Sequence, residues 1–254
     1  MDDRASKTKG LAWFVLACVI GGGFACGLSP LAHAIPWSCE KALGNLVDTG
    51  VRRECTDNVQ AYEALQKLVK RLYPVASEDS DFSIDVHIVE DSAVNAYATL
   101  GGKIYVNSGL LKQAGSAEEL AGVIAHEIGH VQNRHIMEGV MVHSFTAEGV
   151  SMLLGRTSSA GWVRYFLRMD FTRSQEAQAD EAGLMRLQKA HISNKGFRDF
   201  FERMQQSGTN PVFLSDHPSN EARMEMTEHF SNQDTQPVMT PDEWHALRNY
   251  CNAR

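Results

Sequence analysis

A chain of 254 residues, 43% hydrophobic and 22% charged, holds enough apolar material for one well-filled core and is too short for a large multidomain assembly. The same balance excludes a disordered tail and a polytopic membrane protein. The net charge of −7 argues against a nucleic-acid partner, because an acidic surface repels a phosphate backbone.

The N-terminus has the order of an export signal. Arg4, Lys7 and Lys9 precede an uncharged run from Gly10 to Leu28, Pro30 breaks any helix, and Ala32-His33-Ala34 offers small residues at both positions a signal peptidase needs. Residues 1–34 are therefore expected to be a signal peptide cleaved after Ala34, leaving residues 35–254 as a single domain exported to a bacterial periplasm. The run is 19 residues long, close to the roughly 20 that span a bilayer, so a retained anchor, with membrane association, is the competing reading. Gly21-Gly22-Gly23 and Pro30 weaken a spanning helix. Cleavage would remove three basic and two acidic residues, taking the net charge from −7 to −8. Cys39, Cys55 and Cys251 would remain, enough for one disulfide and one thiol, with three pairings open.

Beyond the leader, Val59 to Leu72 carries apolar residues at helical spacing (Val59, Tyr62, Leu65, Leu68, Val69, Leu72) and is followed by Pro74, which predicts an amphipathic helix. Phe82 to Val89 alternates as a short strand. Ala96 to Leu100 and Lys103 to Val106 read as two more strands, joined by Gly101-Gly102 as a hairpin. The remainder is helical in pattern, so the fold class is α+β, mainly helical with a small sheet.

Ser116-Ala117-Glu118-Glu119 has the spacing of a capping box. The helix it opens contains His126-Glu127-Ile128-Gly129-His130, an H-E-x-x-H motif in the context such a motif requires. At about 100° per residue, four positions bring His126 and His130 to within about 40° of each other on one face. Both imidazoles can then reach one zinc ion, with Glu127 placed to take a proton from water. Leu120, Ile124, Ile128 and Val131 lie on the neighbouring face and would pack into the core. Gly122 and Gly129 each cost about 1 kcal/mol relative to Ala in a helix interior, which implies close approach by another element.

A hydrolytic zinc takes three protein ligands and keeps one position open. The H-E-x-x-H-x-x-G-x-x-H class is excluded, since Asn133 and Ile136 stand where its glycine and histidine belong. The alternative third ligand is a glutamate on a later helix, and Glu176 with Asp180 at i,i+4 fits it. Glu176 would bind the metal while Asp180 accepts the outer N–H of a ligand histidine. His135 falls to packing or hydrogen bonding. Ile136 to Met169 is long and apolar, with Met137, Met141, Phe145, Met152, Leu153 and Leu154 at roughly helical spacing. A helical hairpin flanking the cleft fits it, and such stripes are more often core than membrane contact.

At this point the sequence resembles the HtpX-like and CAAX prenyl-protease zinc metallopeptidases. The shared segments are Val94-Asn95-Ala96-Tyr97, Gly101-Gly102-Lys103-Ile104-Tyr105, the motif helix with His135, Arg173 to Asp180, and His217-Pro218 with Arg223. The resemblance implies a zincin-like fold, one Zn2+ per chain, peptide-bond hydrolysis, and a cleft whose edge strand (Asn95, Ala96, Tyr97) binds extended substrate through its backbone. It places His217 and Arg223 beside the cleft as candidate oxyanion donors. Read from the residues alone, His217 is an N-cap before Pro218, Arg223 is an ion-pair partner of Glu176 or Asp180, and His217 could instead fill the fourth zinc position in a latent state. The integral members of the family have several spanning helices and this chain has one candidate, so prenylated substrates are not expected. The substrate class expected is unfolded or misassembled polypeptide of the envelope. An exopeptidase is disfavoured by the lack of a G-x-M-E-N element. A chaperone or assembly factor with zinc used only for structure is disfavoured by Glu127, for which a structural zinc has no use.

Overall fold

The computed structural model describes residues 32–47, 58–74, 83–144, 159–206, 212–213, 217, 221–230 and 234–250. The leader run from Gly10 to Leu28, Cys55, Cys251, and Phe145 with Met152 to Leu154 lie outside them.

Helix α1 (Trp37–Val47) leads to α2 (Val59–Leu72). The bounds of α2 match the periodicity, and its first turn is capped by Asn58, whose side chain accepts from the Ala61 N–H at 3.1 Å. Its inner face consists of Ala61, Ala64, Leu65, Leu68, Val69 and Leu72. Val59 and Tyr62 were expected on that face and are instead 67% and 40% exposed. Ala61 and Ala64 instead complete the inner face at this end.

Three strands follow: β1 (Asp85–Val89), β2 (Ala96–Ala98) and β3 (Lys103–Asn107), in the order β1-β3-β2. The strand expected from Phe82 begins only at Asp85, and the one expected to reach Leu100 ends at Ala98. β3 runs one residue past Val106. The hairpin is present: β2 pairs antiparallel with β3 through Tyr97 and Tyr105. Gly101 and Gly102 both take φ 78°, a conformation that glycine adopts without strain. β1 lies parallel to β3 in the register His87 to Tyr105. His87, Tyr105 and Tyr97 therefore stack in a row across the sheet, at 5.3 Å between successive rings.

The rest is helical: α3 (Ser108–Gln113), α4 (Ala117–Gln132), α5 (His135–Ser144), α6 (Ser159–Phe166), α7 (Arg173–Lys189), α8 (Lys195–Gln206), α9 (Glu221–His229) and α10 (Pro241–Arg248). The motif helix α4 is the centre of the molecule, packed against α7, α8, β2 and β3. Leu120, Ile124, Ile128 and Val131 are buried as expected, but so is nearly every other residue of α4, so the helix has no solvated stripe. A methyl group on Gly122 would lie 2.7 Å from Cα of Phe197 in α8, and one on Gly129 would lie 2.4 Å from the Ala179 carbonyl oxygen in α7. Both glycines thus serve close packing, each against a different helix.

Only half of the expected capping box forms. Ser116 accepts from the Glu119 N–H at 3.1 Å, but the Glu119 carboxylate turns to the Gly115 N–H at 2.8 Å and to Arg203 of α8. The full boxes sit at Thr172–Gln175, opening α7, and at Thr240–Glu243, opening α10. Met137 and Met141 of α5 are core residues. Among the described residues no helix is long and apolar enough to cross a membrane.

Candidate metal centre

α4 and α7 cross at the Gly129–Ala179 contact, and this crossing brings the predicted ligands together. His126 and His130 project from α4, Glu176 from the first turn of α7, and His217 enters from the segment ahead of α9. One ligand atom from each of the four lies within 4.8 Å of the others, and all four residues are buried.

The distances define a tight knot. Nε2 of His126 lies 3.0 Å from Nε2 of His130 and 3.2 Å from Nδ1 of His217. Glu176 places Oε1 3.4 Å from His130 Nε2 and 3.0 Å from His217 Nδ1, and Oε2 3.5 Å from His126 Nε2. Oε2 of Glu176 is buried and accepts no hydrogen bond among the described residues. Burial pushes His126 and His130 well below the usual imidazole range, so both are neutral. Two neutral rings can turn their Nε2 lone pairs toward one cation beside the ionised carboxylate. The donor set, two or three imidazoles and a carboxylate, suits zinc.

Glu176 stays ionised. Burial favours its neutral form, but the His130, His217 and His126 rings beside the carboxylate outweigh burial and hold its pKa far below the carboxylate range. His217 moves the other way. Burial opposes its charge, and the nearby carboxylates of Glu127 (Oε1 3.4 Å from His217 Nε2) and Glu176 raise its pKa above the ordinary value. Glu127 is itself buried on α4, on the side facing His217.

Behind the knot, Asp180 Oδ1 lies 2.8 Å from Nδ1 of His126, the outer contact expected for it. Arg223 donates to the same oxygen at 2.6 Å and to the His217 carbonyl at 3.2 Å, and its Nη1 lies 3.4 Å from Glu176 Oε2. Its guanidinium also stacks 4.4 Å over Phe201. Arg223 thus pairs with both acids named for it in the sequence. Burial raises Asp180 to about 6, with Arg223 opposing the shift.

Asn95 immediately precedes β2, one of the two edge strands of the sheet, Ala96 and Tyr97 open it, and all three are buried. The Val94 carbonyl there accepts from the Phe213 N–H at 3.2 Å, and the Phe213 carbonyl accepts from the His217 N–H at 2.8 Å. Sequence reasoning missed several side chains around the knot. Phe171 lies 3.9 Å from the His130 ring and stacks on His217 at 5.8 Å. Phe213 lies 4.8 Å from His217. Gln178 and Arg134 also went unnoticed, and no pattern in their own segments marks them. Cys39 lies half-buried on α1, and its expected partners are outside the described residues.

A sequence model of Peptidase family M48 matches residues 60–230, a span that includes every element carrying the knot. The chain belongs to peptidase family M48. Members of this family use zinc, and the buried knot of His126, His130, Glu176 and His217 can hold it. The chain is 29% identical to the mitochondrial metalloendopeptidase OMA1 of Schizosaccharomyces pombe over 173 residues, 65% of this chain and 51% of that protein. It is 30% identical to the OMA1 of Arabidopsis thaliana over 219 residues, 82% of this chain and 43% of the relative. It is 26% identical to the beta-barrel assembly-enhancing protease of Escherichia coli over 165 residues, 58% of this chain and 34% of that one. The chain thus spans about half, or less, of the length of these M48 relatives.

Proposed function

We propose that this M48 chain is a zinc-dependent endopeptidase that hydrolyses unfolded or misassembled proteins of the bacterial envelope. One observation carries this reading: His126, His130 and Glu176 converge in the core with Glu127 beside them. When bound, zinc supplies the Lewis acidity that polarises a peptide carbonyl and acidifies water. Glu127 accepts a proton as the water oxygen bonds to the acyl carbon. It returns that proton to the amine as the C–N bond breaks, leaving a carboxylate and a new N-terminus. Asp180 holds the His126 tautomer, and Arg223 acts as a positioning residue through Asp180 and Glu176. The stretch Asn95-Ala96-Tyr97 offers an extended peptide a backbone edge, which suits substrates recognised without side-chain specificity.

His217 has a second reading, favoured by its place between Glu176 and Glu127. As a fourth ligand it closes the position that a catalytic zinc keeps open, so the described arrangement is a latent one and cleavage requires His217 to withdraw. Phe213, whose carbonyl accepts from the His217 N–H, donates to the Val94 carbonyl at the mouth of the proposed peptide edge, and this contact would be released with His217.

The relatives named for beta-barrel assembly and for metalloendopeptidase activity support the envelope substrate class and the endopeptidase reaction. Export follows from the leader, with cleavage after Ala34 or retention as a membrane tether. N-terminal sequencing of the mature protein separates these. The reaction is tested with casein as an unfolded substrate: the zinc-loaded protein should cleave it internally, a chelator should stop cleavage, and added zinc should restore it. Zinc binding with no cleavage by any form, including one lacking the His217 side chain, would favour the chaperone reading.

A further inference from the structure

His135 opens α5, is 1% exposed, and takes no part in the reaction proposed above. Its Nδ1 lies 3.1 Å from Nδ1 of His130, and its Nε2 lies 3.0 Å from Oε1 of Gln178. Two imidazole nitrogens at that distance share one proton, so the pair has two arrangements. If Gln178 accepts from His135 Nε2–H, then His135 Nδ1 carries a lone pair and receives the proton of His130 Nδ1. His130 Nε2 is then free to bind a cation. If the amide is turned to donate, every proton shifts the other way, and His130 Nε2 carries a hydrogen where the metal belongs. Only the first arrangement suits the knot.

We propose that His135, anchored by Gln178, is a positioning residue that fixes the Nδ1–H tautomer of His130 and so holds its Nε2 lone pair toward the metal. The proposal rests on the metallopeptidase reading and deepens it.

The backbone is shaped for this contact. On an unbroken helix, five residues turn the side chain about 140° away from His130. Here Arg134 takes φ 60° between α4 and α5, a left-handed conformation disfavoured for a residue with a side chain. The break swings His135 back beneath the motif helix. Arg134 is held there by Glu40 at 3.1 Å and by the Ile35 carbonyl at 2.8 Å, with its guanidinium 5.2 Å over Trp37. Asn133 ties the same break to Gly129, donating to its carbonyl at 2.9 Å. The result is a pair of matching anchors on α7: Asp180 receives the outer N–H of His126 directly, and Gln178 receives that of His130 through His135.

The test compares zinc affinity, measured by competition with a chromogenic chelator, for wild type, His135→Phe, His135→Gln and Gln178→Glu. His135→Phe should bind zinc about 10- to 100-fold more weakly. His135→Gln and Gln178→Glu, which keep an acceptor oxygen in the relay, should retain most of the affinity. Imidazole 15N NMR of metal-free wild type should show His130 protonated at Nδ1. Wild-type affinity in His135→Phe, an equal loss in His135→Gln, or His130 protonated at Nε2 in wild type would each overturn the proposal. If His135→Phe does not fold, Gln178→Leu replaces it, with the same loss expected and unchanged affinity overturning the relay. Failure of wild type itself to bind zinc would instead refute the metallopeptidase reading.

Discussion

Gly129 of the motif helix and Ala179 of the glutamate helix touch backbone to backbone: a methyl group on Gly129 would sit 2.4 Å from the Ala179 carbonyl oxygen. That contact sets how far His130, one residue on from Gly129, stands from Glu176. Gly129→Ala must push α4 and α7 apart. It should lower stability by about 1–3 kcal/mol, as overpacking does, and weaken zinc binding as well. Denaturant unfolding of the metal-free form and chelator competition measure the two effects separately.

Glu176 is the one carboxylate in the knot that touches both motif histidines. Glu176→Ala should leave a folded protein with little bound zinc after dialysis, measured by mass spectrometry of the native protein. Full metal retention would show that the third ligand lies elsewhere.

In the proposed latent reading, His217 fills the position that a catalytic zinc keeps open. Its replacement by Ala should weaken zinc binding and yet raise the rate of casein cleavage per zinc-loaded molecule, since one ligand is lost and the closed position opens. A fall in kcat with KM unchanged would instead mark His217 as a donor to the transition state.

Asp180 makes a contribution of unusual sign to the pH dependence of the metal-free protein. Its pKa is raised to about 6 by burial, above the unfolded value near 3.9. The folded state therefore holds a proton that the unfolded state has released, and this contribution to stability falls as pH rises from about 4 to about 6. Glu176, whose pKa is depressed, works in the opposite sense, losing its contribution as pH falls below its unfolded value near 4.3. Between pH 4.5 and 6 His126 and His130, neutral in the fold and protonated once unfolded, make stability rise with pH, and Asp180 subtracts from that rise. The thermal unfolding midpoint of the metal-free protein should therefore rise more steeply with pH across this window in Asp180→Asn than in wild type, and equal slopes would contradict the assignment.

Much of the site was legible because helical period alone places its parts. Four residues return a side chain to the same face, so His126 with His130 and Glu176 with Asp180 could be paired on paper, and the structure brings the two faces together. The glycines of α4 were legible as contacts, though not which helix each would meet. What the sequence hid depends on breaks in period and on contacts between distant segments. His135 lies outside the helical repeat, and only the left-handed turn at Arg134 returns it to His130. The parallel pairing of β1 with β3 leaves no local signature. Glu119 has the spacing of a capping partner, but Arg203, distant in sequence, draws it away. Val59 and Tyr62 continue the apolar period of α2 but lie on its exposed side, with Ala61 and Ala64 taking the inner face.

The most direct test of the account is the pair of wild type and Glu127→Gln, each loaded with zinc to one ion per chain and assayed on casein. Gln keeps the size of Glu127 and removes its basicity. The account predicts equal zinc content and a loss of cleavage by at least about 100-fold, the lower range for a general base. Cleavage by Glu127→Gln at the wild-type rate, insensitive to chelator, would contradict it.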